Sequence, residues 1–264
     1  MTRRHRLRFR RPWTAVPRAF RALRVAPPGL RFVVIAILAL GLWAAGNWAY
    51  HAIRKPTELL FPVSDLLTKT PAETWREYGP VFRKHATPVI TSEFLAALAQ
   101  IESAGNPLAQ TYWRWNLSWH PLEVYRPASS AVGMYQITDG TFAQTRRECR
   151  PEPAGDSTPA PGSCWLDSLY SRVVPGEAIE LTATLLDGAV AGTLRRQRIA
   201  RATRQQKQDL AAVIHLCGAG AREGYARRGF RLTPGQRCGD HDVRGYLARV
   251  NVMKRVFARL ASEA

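Results

Sequence analysis

Acidic residues are missing from the first 57 positions of this 264-residue chain, and Glu58 is the first of its 20 Asp and Glu residues. Residues 1–31 contain ten arginines, whereas from Glu58 onward 26 Lys and Arg accompany the 20 acids. The net charge of +18 therefore divides into a strongly basic arm and a mildly basic remainder. A chain of this length suits one folded domain with additional segments, and the arm is one of them.

Nineteen consecutive residues, 32–50, lack any charged side chain, which is about the length that a helix needs to cross a bilayer. Trp43, Trp48 and Tyr50 near its end are typical of an interfacial aromatic belt. Because arginine-rich flanks stay in the cytoplasm, we predict a cytoplasmic arm over 1–31 and a transmembrane anchor over 32–50. A signal peptide cleaved near residue 46 and a nucleic-acid tail stay open as alternatives, although the long basic arm favours the anchor.

Cysteines are scarce, and all four follow the predicted anchor: Cys149, Cys164, Cys217 and Cys238. Each successive pair brackets a segment rich in proline or glycine, which has little apolar surface to bury. Sequence alone permits three pairings of four cysteines. We expect the two local pairs, each closing a loop worth about 3 kcal/mol in the chain-entropy model. Such bonds persist outside the cytoplasm.

The second cysteine pair also has a metal-binding interpretation, because His215 lies two residues before Cys217 and His241 lies three after Cys238. These four residues could be the halves of a Cys2His2 zinc site. The two-residue spacing is tighter than usual for such a site, and the other two cysteines would remain as a separate pair. We therefore expect no metal, and nothing in the sequence implies another cofactor.

The most informative stretch is a helix that ends abruptly, predicted for residues 92–104. Apolar residues from Phe94 to Ile101 recur at the spacing of one buried stripe, and Glu102 follows on the same side. Gly105-Asn-Pro107 then end the helix. A carboxyl placed there is partly desolvated and near the negative end of the helix dipole. Both effects raise its pKa, as a general acid near neutral pH requires.

A lone glutamate on a helix is usually only solvated, so its interpretation depends on a second motif. Gly133-Met-Tyr-Gln-Ile137, taken with Glu102-Ser-Ala-Gly-Asn-Pro107, resembles the two signature motifs of the lytic transglycosylases. These are goose-lysozyme-like enzymes that cut peptidoglycan, and the resemblance covers about residues 86–260. It implies that Glu102 is the single catalytic acid and base. It also implies an all-α, lysozyme-like domain over 86–264, with any sheet limited to a small piece near Ser130.

The resemblance further implies which residues contact the sugar, although the chain departs from the family pattern at two places. Tyr135 stands where methionine is usual, and we interpret it as tuning the groove with a hydroxyl. His215 takes the place of a tyrosine in a later family motif, and we expect it to be structural. Trp113 and Trp115 could stack on sugar faces or form local core. The predicted substrate-binding set is Ser103, Gly133, Tyr135, Gln136, Ile137, Tyr246, Trp113 and Trp115.

Helix signals continue on both sides of these motifs. Residues 51–85 are interpreted as a stalk and a leading helix, whose start at Thr70 has Glu73 three residues later as a capping box. A capping residue, Thr138, predicts a helix over residues 138–147. Apolar spacing predicts further helices over residues 177–199, 205–217 and 242–260.

A single catalytic acid is sufficient only if the substrate supplies its own nucleophile, since ordinary glycosidases need two carboxylates. The resemblance implies that the muramyl C6 hydroxyl does so and gives a 1,6-anhydro product. We therefore predict a periplasmic peptidoglycan lytic transglycosylase held in the inner membrane, with no nucleic-acid partner. The alternatives are a hydrolytic muramidase that uses Asp139 and a non-catalytic glycan-binding component of a secretion or conjugation apparatus.

Overall fold

The computed structural model describes residues 25–60, 65–148 and 171–263. The helices with defined bounds are α1 Pro28–Arg54, α2 Pro71–His85, α3 Ser92–Ser103, α4 Asp139–Glu148, α5 Pro175–Arg196, α6 Arg204–Cys217, α7 Ala219–Arg227 and α8 Val243–Ser262. Short 3-10 helices occur at Pro56–Leu60, Asp65–Leu67 and Pro121–Glu123. The predicted mainly helical architecture with an apolar N-terminal helix is therefore confirmed.

Strand structure within the described ranges is limited to two short antiparallel hairpins. Strand β1 (Trp113–Trp115) pairs with β2 (Tyr125–Pro127). Strand β3 (Arg237–Cys238) pairs with β4 (His241–Asp242). The sequence predicted one small piece of sheet near Ser130, so it anticipated the first hairpin approximately and missed the second.

Capping side chains mark the start of α2, α3 and α8. The Thr70 side chain accepts a hydrogen bond from the backbone N–H of Glu73, and the Glu73 carboxylate accepts one from the backbone N–H of Thr70. The predicted capping box is therefore confirmed. Thr91 and Asp242 cap α3 and α8 through their side-chain oxygens. Each cap gives a partner to a backbone N–H that has none inside its own helix.

Helix α3 lies at the centre of the hydrophobic core. Every side chain from Phe94 to Ala99 is fully buried, which exceeds the single apolar stripe that its sequence predicted. The reason is that α2, α5 and α8 all pack against it. Phe82 of α2 and Phe257 of α8 belong to the same buried cluster. Since each large apolar side chain contributes about 1.5–3 kcal/mol on burial, this packing holds α3 firmly in place.

Among the described residues, one helix is long and apolar enough to cross a membrane, and that helix is α1, whose mean hydropathy reaches 2.0. By its length and composition, this helix could be a membrane anchor or a signal sequence. It extends past the predicted segment 32–50 at both ends. His51 and Ala52 in its last turns are buried, so the helix end packs on the rest of the protein.

The segment that follows α1 is packed, although the sequence predicted a stalk. Thr57 and Glu58 are buried in the 3-10 helix. Trp113 Nε1 donates to Glu58 Oε2 at 2.9 Å, and the Gln110 side chain donates to the carbonyl of Thr57. Lys55 lies 3.0 Å from Glu58 and balances its charge. These contacts fasten the segment to the β1 region.

Within the described ranges, one disulfide joins Cys217 at the end of α6 to Cys238 in β3, with a Cα–Cα distance of 5.3 Å. This predicted pair is therefore confirmed. Because the two sulfurs are bonded to each other, neither is available as a zinc ligand, and the alternative zinc site is wrong. Cys149 and Cys164 lie outside the described residues, so their pairing stays a prediction.

Candidate active site

Glu102 lies in the last turn of α3, and its side chain is mostly buried. The helix ends one residue later, where Ala104 takes a left-handed conformation with φ of 52° and Gly105 follows with φ of 68°. The N–H of Gly105 donates to the carbonyl of Ala99 at 3.1 Å, which closes the helix end. The Glu102 side chain is thereby directed towards α6 and α8, where its partners lie.

Two side chains from distant parts of the chain meet this carboxylate. The Tyr246 hydroxyl on α8 donates to Glu102 Oε1 at 2.5 Å. Nε2 of His215 on α6 lies 3.5 Å from the same oxygen. The sequence indicated only a structural role for His215, so this contact is the functional feature that it missed. The available signal was the position of His215 at a helix end, two residues before Cys217.

Opposing influences act on the Glu102 carboxyl. Burial is the largest, and it favours the neutral acid. The hydrogen bond and charge of His215, the hydrogen bond from Tyr246 and the charge of His241 all favour the carboxylate. Their sum holds the pKa of Glu102 below its ordinary value. The predicted rise in this pKa is therefore wrong, because the sequence indicated burial but not the partners on other elements.

The Tyr246 hydroxyl acts as a permanent donor. Its burial, followed by the negative charge and hydrogen bond of Glu102, raises the pKa of Tyr246 well above the ordinary tyrosine value. The hydroxyl therefore keeps its proton throughout the neutral range. The predicted sugar contact of Tyr246 stays a prediction, and the contact seen here is with the acid.

The loop at residues 133–137 is fastened to α3 by Ser103. Ser103 Oγ lies within hydrogen-bond distance of Met134 O, at 2.9 Å, and of Ala99 O, at 3.0 Å. Gly133 has φ of 79°, and a Cβ at this position would overlap the carbonyl of Arg172. Ser103 and Gly133 therefore position the loop, and direct sugar contact by either stays a prediction.

Gln136 and Ile137 line a cleft of about 380 Å³ together with His215, so the cleft adjoins Glu102. Gln136 Nε2 donates to Ala109 O at 3.1 Å and to Gly133 O at 3.0 Å. Its Oε1 is then the atom suited to accept from a sugar N–H or hydroxyl. Three cationic side chains also line the cleft: Arg195, Arg196 and Arg222.

Tyr135 does not reach this cleft. Its side chain is fully buried, and its hydroxyl donates to the carbonyl of Leu95 in α3 at 3.2 Å. Burial raises the pKa of Tyr135 well above the ordinary value, so the hydroxyl stays a donor. The structure contradicts the predicted substrate contact, because the core takes up the ring that stands where the family has methionine.

The two candidate stacking residues contact α1. The Trp113 ring lies edge-on to His51 with 5.2 Å between centroids, and Trp115 stacks on Trp43 at 6.3 Å. Tyr125 of β2 contacts both tryptophans. Neither tryptophan is among the residues that line the cleft beside His215. Their observed partners favour the local-packing alternative over sugar stacking.

Two other carboxylates, Asp139 and Glu123, have cationic partners near the end of α1. Asp139 Oδ1 pairs with Arg172 Nη1 at 2.6 Å. Glu123 is shared by Arg54, at 3.3 Å, and Arg126, at 3.2 Å. Both carboxylates line a separate cavity of about 230 Å³, outside the cleft that adjoins Glu102. This placement gives no support to Asp139 as a second catalytic group.

The stretch that begins within α2 and ends just beyond α5 matches a known domain family. Residues 80–201 match the family model described as the Transglycosylase SLT domain. No match was found among curated proteins. Residues 80–201 therefore form a Transglycosylase SLT domain, which is of the lysozyme-like class. Such a domain implies lytic transglycosylase activity on peptidoglycan.

The matched range contains Glu102 and the loop at 133–137. His215 and Tyr246 lie beyond it, so their position beside the carboxylate is known from the structure alone.

Proposed function

We propose that this protein is a membrane-anchored, periplasmic lytic transglycosylase that cleaves between N-acetylmuramic acid and N-acetylglucosamine, with Glu102 as its single acid and base. One observation carries the proposal. The glutamate of the SLT motif is mostly buried, accepts a hydrogen bond from Tyr246 and adjoins a positive cleft through His215. The glycan would lie in this cleft.

The chemistry requires one carboxyl to act twice. Protonated Glu102 gives its proton to the glycosidic oxygen, the bond from C1 to that oxygen breaks, and an oxocarbenium-like muramyl centre forms. The 2-acetamido oxygen of the same sugar stabilises this centre. The carboxylate then takes the proton of the C6 hydroxyl while O6 bonds to C1. The products are a free hydroxyl and a 1,6-anhydro ring, no water is consumed, and Glu102 ends protonated.

Substrate binding provides a way for Glu102 to gain its first proton. In the free site the pKa of Glu102 is low, because His215 and Tyr246 outweigh the effect of burial. A glycan that fills the cleft excludes water and so strengthens desolvation, which is already the largest single influence on this carboxyl. The carboxylate form becomes less favourable, so Glu102 takes up a proton as the cleft fills, beside His215 Nε2 at 3.5 Å from Oε1. In this proposal, substrate binding creates the acid.

The basic lining of the cleft supports an anionic substrate. Arg195 and Arg222 line it, and Arg196 pairs with Glu223 at 2.9 Å while also facing the cleft. Peptidoglycan carries lactyl and peptide carboxylates, which guanidinium groups bind with two parallel hydrogen bonds. We expect glycan binding to weaken as salt screens this attraction.

The anchoring part of the proposal is supported by α1 and the arm before it. Helix α1 is apolar, and ten arginines precede residue 32. The positive-inside rule then places residues 1–31 in the cytoplasm and residues 86–264 in the periplasm, with 32–50 in the inner membrane and 51–85 between. A secretion or conjugation apparatus that uses the resulting gap in the wall stays a hypothesis.

The test is digestion of purified sacculi by the full-length protein in detergent, with mass spectrometry of the fragments. We expect anhydro-muramyl ends, which are one water lighter than hydrolysed ends. Glu102→Gln should lower the rate about 10²–10⁴-fold, the usual contribution of a general acid. Glu180→Gln is the matched control, because this exposed glutamate lies 3.5 Å from His85, the same separation as Glu102 from His215.

Undiminished lysis by folded Glu102→Gln would overturn the proposal. Hydrolysed ends that still depend on Glu102 would instead identify a muramidase. Glycan binding by the wild-type protein without any cleavage would identify a scaffold.

A further inference from the structure

The C-terminal half of α1 is docked on the β1–β2 hairpin. Three side chains spaced four residues apart on one face of α1 bond to backbone carbonyls of the hairpin region: Trp43 to Pro121 at 3.0 Å, Asn47 to Tyr125 at 2.7 Å and His51 to Leu122 at 2.8 Å. Asn47 and His51 are buried by this contact. The hairpin therefore accepts hydrogen bonds from three ring or amide nitrogens that lie within or next to the apolar run of the helix.

The tip of the hairpin, residues 115–121, exposes large apolar side chains. Leu117 and Trp119 are fully exposed, and Trp115 is 69% exposed although it stacks on Trp43. Leu40, Trp43, Trp115 and Trp119 line one shallow groove between the helix and the tip. A contiguous apolar patch of this kind marks a contact with an apolar partner.

The depth of the tip follows from the length of α1. The uncharged run has nineteen residues, about 28 Å at the helical rise, while a bilayer core is about 30 Å thick. The part before Trp43, residues 32–42, covers only about 16 Å. The whole run is therefore needed to cross the core, so Trp43 and Asn47 lie within it or at its outer boundary. The hairpin segment bonded to them lies at the same depth.

From this geometry we infer that the hairpin tip is embedded in the outer leaflet of the membrane that α1 crosses, with phospholipid acyl chains below the headgroups as its partner. The inference rests on the anchoring proposed above. Tryptophan suits the outer leaflet because its ring is apolar and its N–H is a donor. Arg54 lies beside Glu123, about 16 Å beyond Trp43 along the helix, at the level of the headgroups.

This placement also explains the bonds from α1 to the hairpin. An asparagine amide facing lipid would lack a hydrogen-bond partner, and each unmet group at that depth costs several kcal/mol. The carbonyl of Tyr125 supplies the partner for Asn47 Nδ2, while Asn47 Oδ1 is buried without a protein partner among the described residues. The catalytic domain is then held against the membrane at one height, without a flexible tether.

The test uses the full chain in proteoliposomes of phosphatidylethanolamine and phosphatidylglycerol, with p-benzoylphenylalanine introduced singly at three positions. Leu117 tests the hairpin tip, Ile37 of α1 reports the anchor, and Val252 of α8 is an exposed aliphatic control. After irradiation, phospholipid adducts are measured by mass spectrometry. We expect adducts at position 117 to be comparable with those at position 37 and several-fold above those at position 252.

The three positions separate the two ideas. Adducts at position 37, with position 117 no higher than position 252, would overturn the embedded tip and leave the anchor intact. Adducts at neither position 37 nor position 117 would overturn both. A side chain at position 117 is fully exposed, so its replacement leaves the packing unchanged, and unaltered thermal unfolding checks this point.

Discussion

The Glu102 site and the hairpin tip, residues 115–121, both contain aromatic side chains, but these are buried at the site and exposed at the tip. At the site, an aromatic hydroxyl and an imidazole are buried beside a carboxylate, and Tyr246 reaches it from 144 residues along the chain. At the tip, aromatic rings stay exposed, and their fixed contacts are with α1. The site depends on helices locked into one core, whereas the tip depends on a surface outside the core. The two regions should therefore respond to different substitutions.

Gly133→Ala should give the largest difference in response between the Glu102 site and the hairpin tip. The added Cβ would overlap the Arg172 carbonyl in a left-handed conformation, so we expect a loss of about 2–4 kcal/mol in the free energy of unfolding, with lysis falling as the loop shifts. Denaturant unfolding measures this loss. Gly140→Ala is the control, since its Cβ would meet no atom closer than 3.9 Å. Equal stability of the two variants would contradict the close approach.

Removal of the disulfide tests how far the site depends on the α6 end. Cys217→Ser combined with Cys238→Ser opens a loop with a sequence separation of 21, which should lower the free energy of unfolding by about 3 kcal/mol. His215 lies two residues from this bond, so the lytic rate should fall even where the protein stays folded. Lipid adducts at position 117 should not change. A variant that loses the lipid adducts at position 117 but keeps its lytic rate would contradict this expectation, because the disulfide would then support the hairpin tip and not the Glu102 site.

Tyr246→Phe removes one donor and leaves the core shape intact. A hydrogen bond to a charged group contributes about 1.5–3 kcal/mol, so we expect a rate loss of about ten- to a hundred-fold if the bond is kept in the transition state. The pKa of Glu102 should rise, because a group that stabilises the carboxylate is lost. Carbon NMR of labelled glutamate measures the pKa. Tyr225→Phe, at a buried tyrosine of α7, should change neither quantity.

The sequence predicted the local parts of this structure and missed what tertiary contacts decide. Helix α6 was expected over 205–217 and is Arg204–Cys217, because its cap and apolar spacing are both local signals. Glu102 was recognised through adjacent motif residues. The contact with His215, and with it the lowered pKa of Glu102, depends on how α6 packs near α3, for which no local pattern exists.

The tryptophans also show that nearness in sequence does not predict tertiary contacts. Trp113 and Trp115 lie close to the catalytic motif in sequence, which suggested the sugar groove. The pairing of β1 with β2 and the docking of α1 instead turn them towards the helix. Nearness along the chain was misleading because a hairpin can carry its side chains to another surface. Tyr135 was misjudged for a related reason, since its ring fills the core under α3.

His215→Gln tests the electrostatics of the Glu102 site, and its expected effect is smaller than that of Tyr246→Phe. Glutamine keeps a donor but carries no charge, so the pKa of Glu102 should rise. A lowered folded-state pKa contributes stability above the unfolded-state value of about 4.3, and this stability is lost as pH falls through the folded pKa. The wild-type advantage in unfolding free energy should therefore be present above the unfolded-state pKa of about 4.3 and be lost as pH falls through the lowered folded-state pKa of Glu102.

Two histidine variants serve as controls for this effect. His241→Gln should raise the pKa of Glu102 less, because this residue acts on the carboxyl through its charge alone. His85→Gln should not change it, because His85 pairs with Glu180. An equal response to His215→Gln and His85→Gln would contradict the proposed pair.

Trp43→Ala affects the hairpin tip and not the Glu102 site, and it should have the smallest effect of the proposed substitutions. It removes a stacked ring worth about 0.5–1.5 kcal/mol, together with the bond to Pro121. We expect faster hydrogen exchange at the amides of residues 113–127 in nanodiscs and fewer lipid adducts at position 117. Lysis of solubilised glycan should not change, because Trp43 lies outside the cleft. Trp48→Ala, at a half-exposed position on the same helix, is the matched control. If both variants loosen the hairpin equally, the tip depends on the bilayer more than on its dock, and the membrane alone fixes its depth.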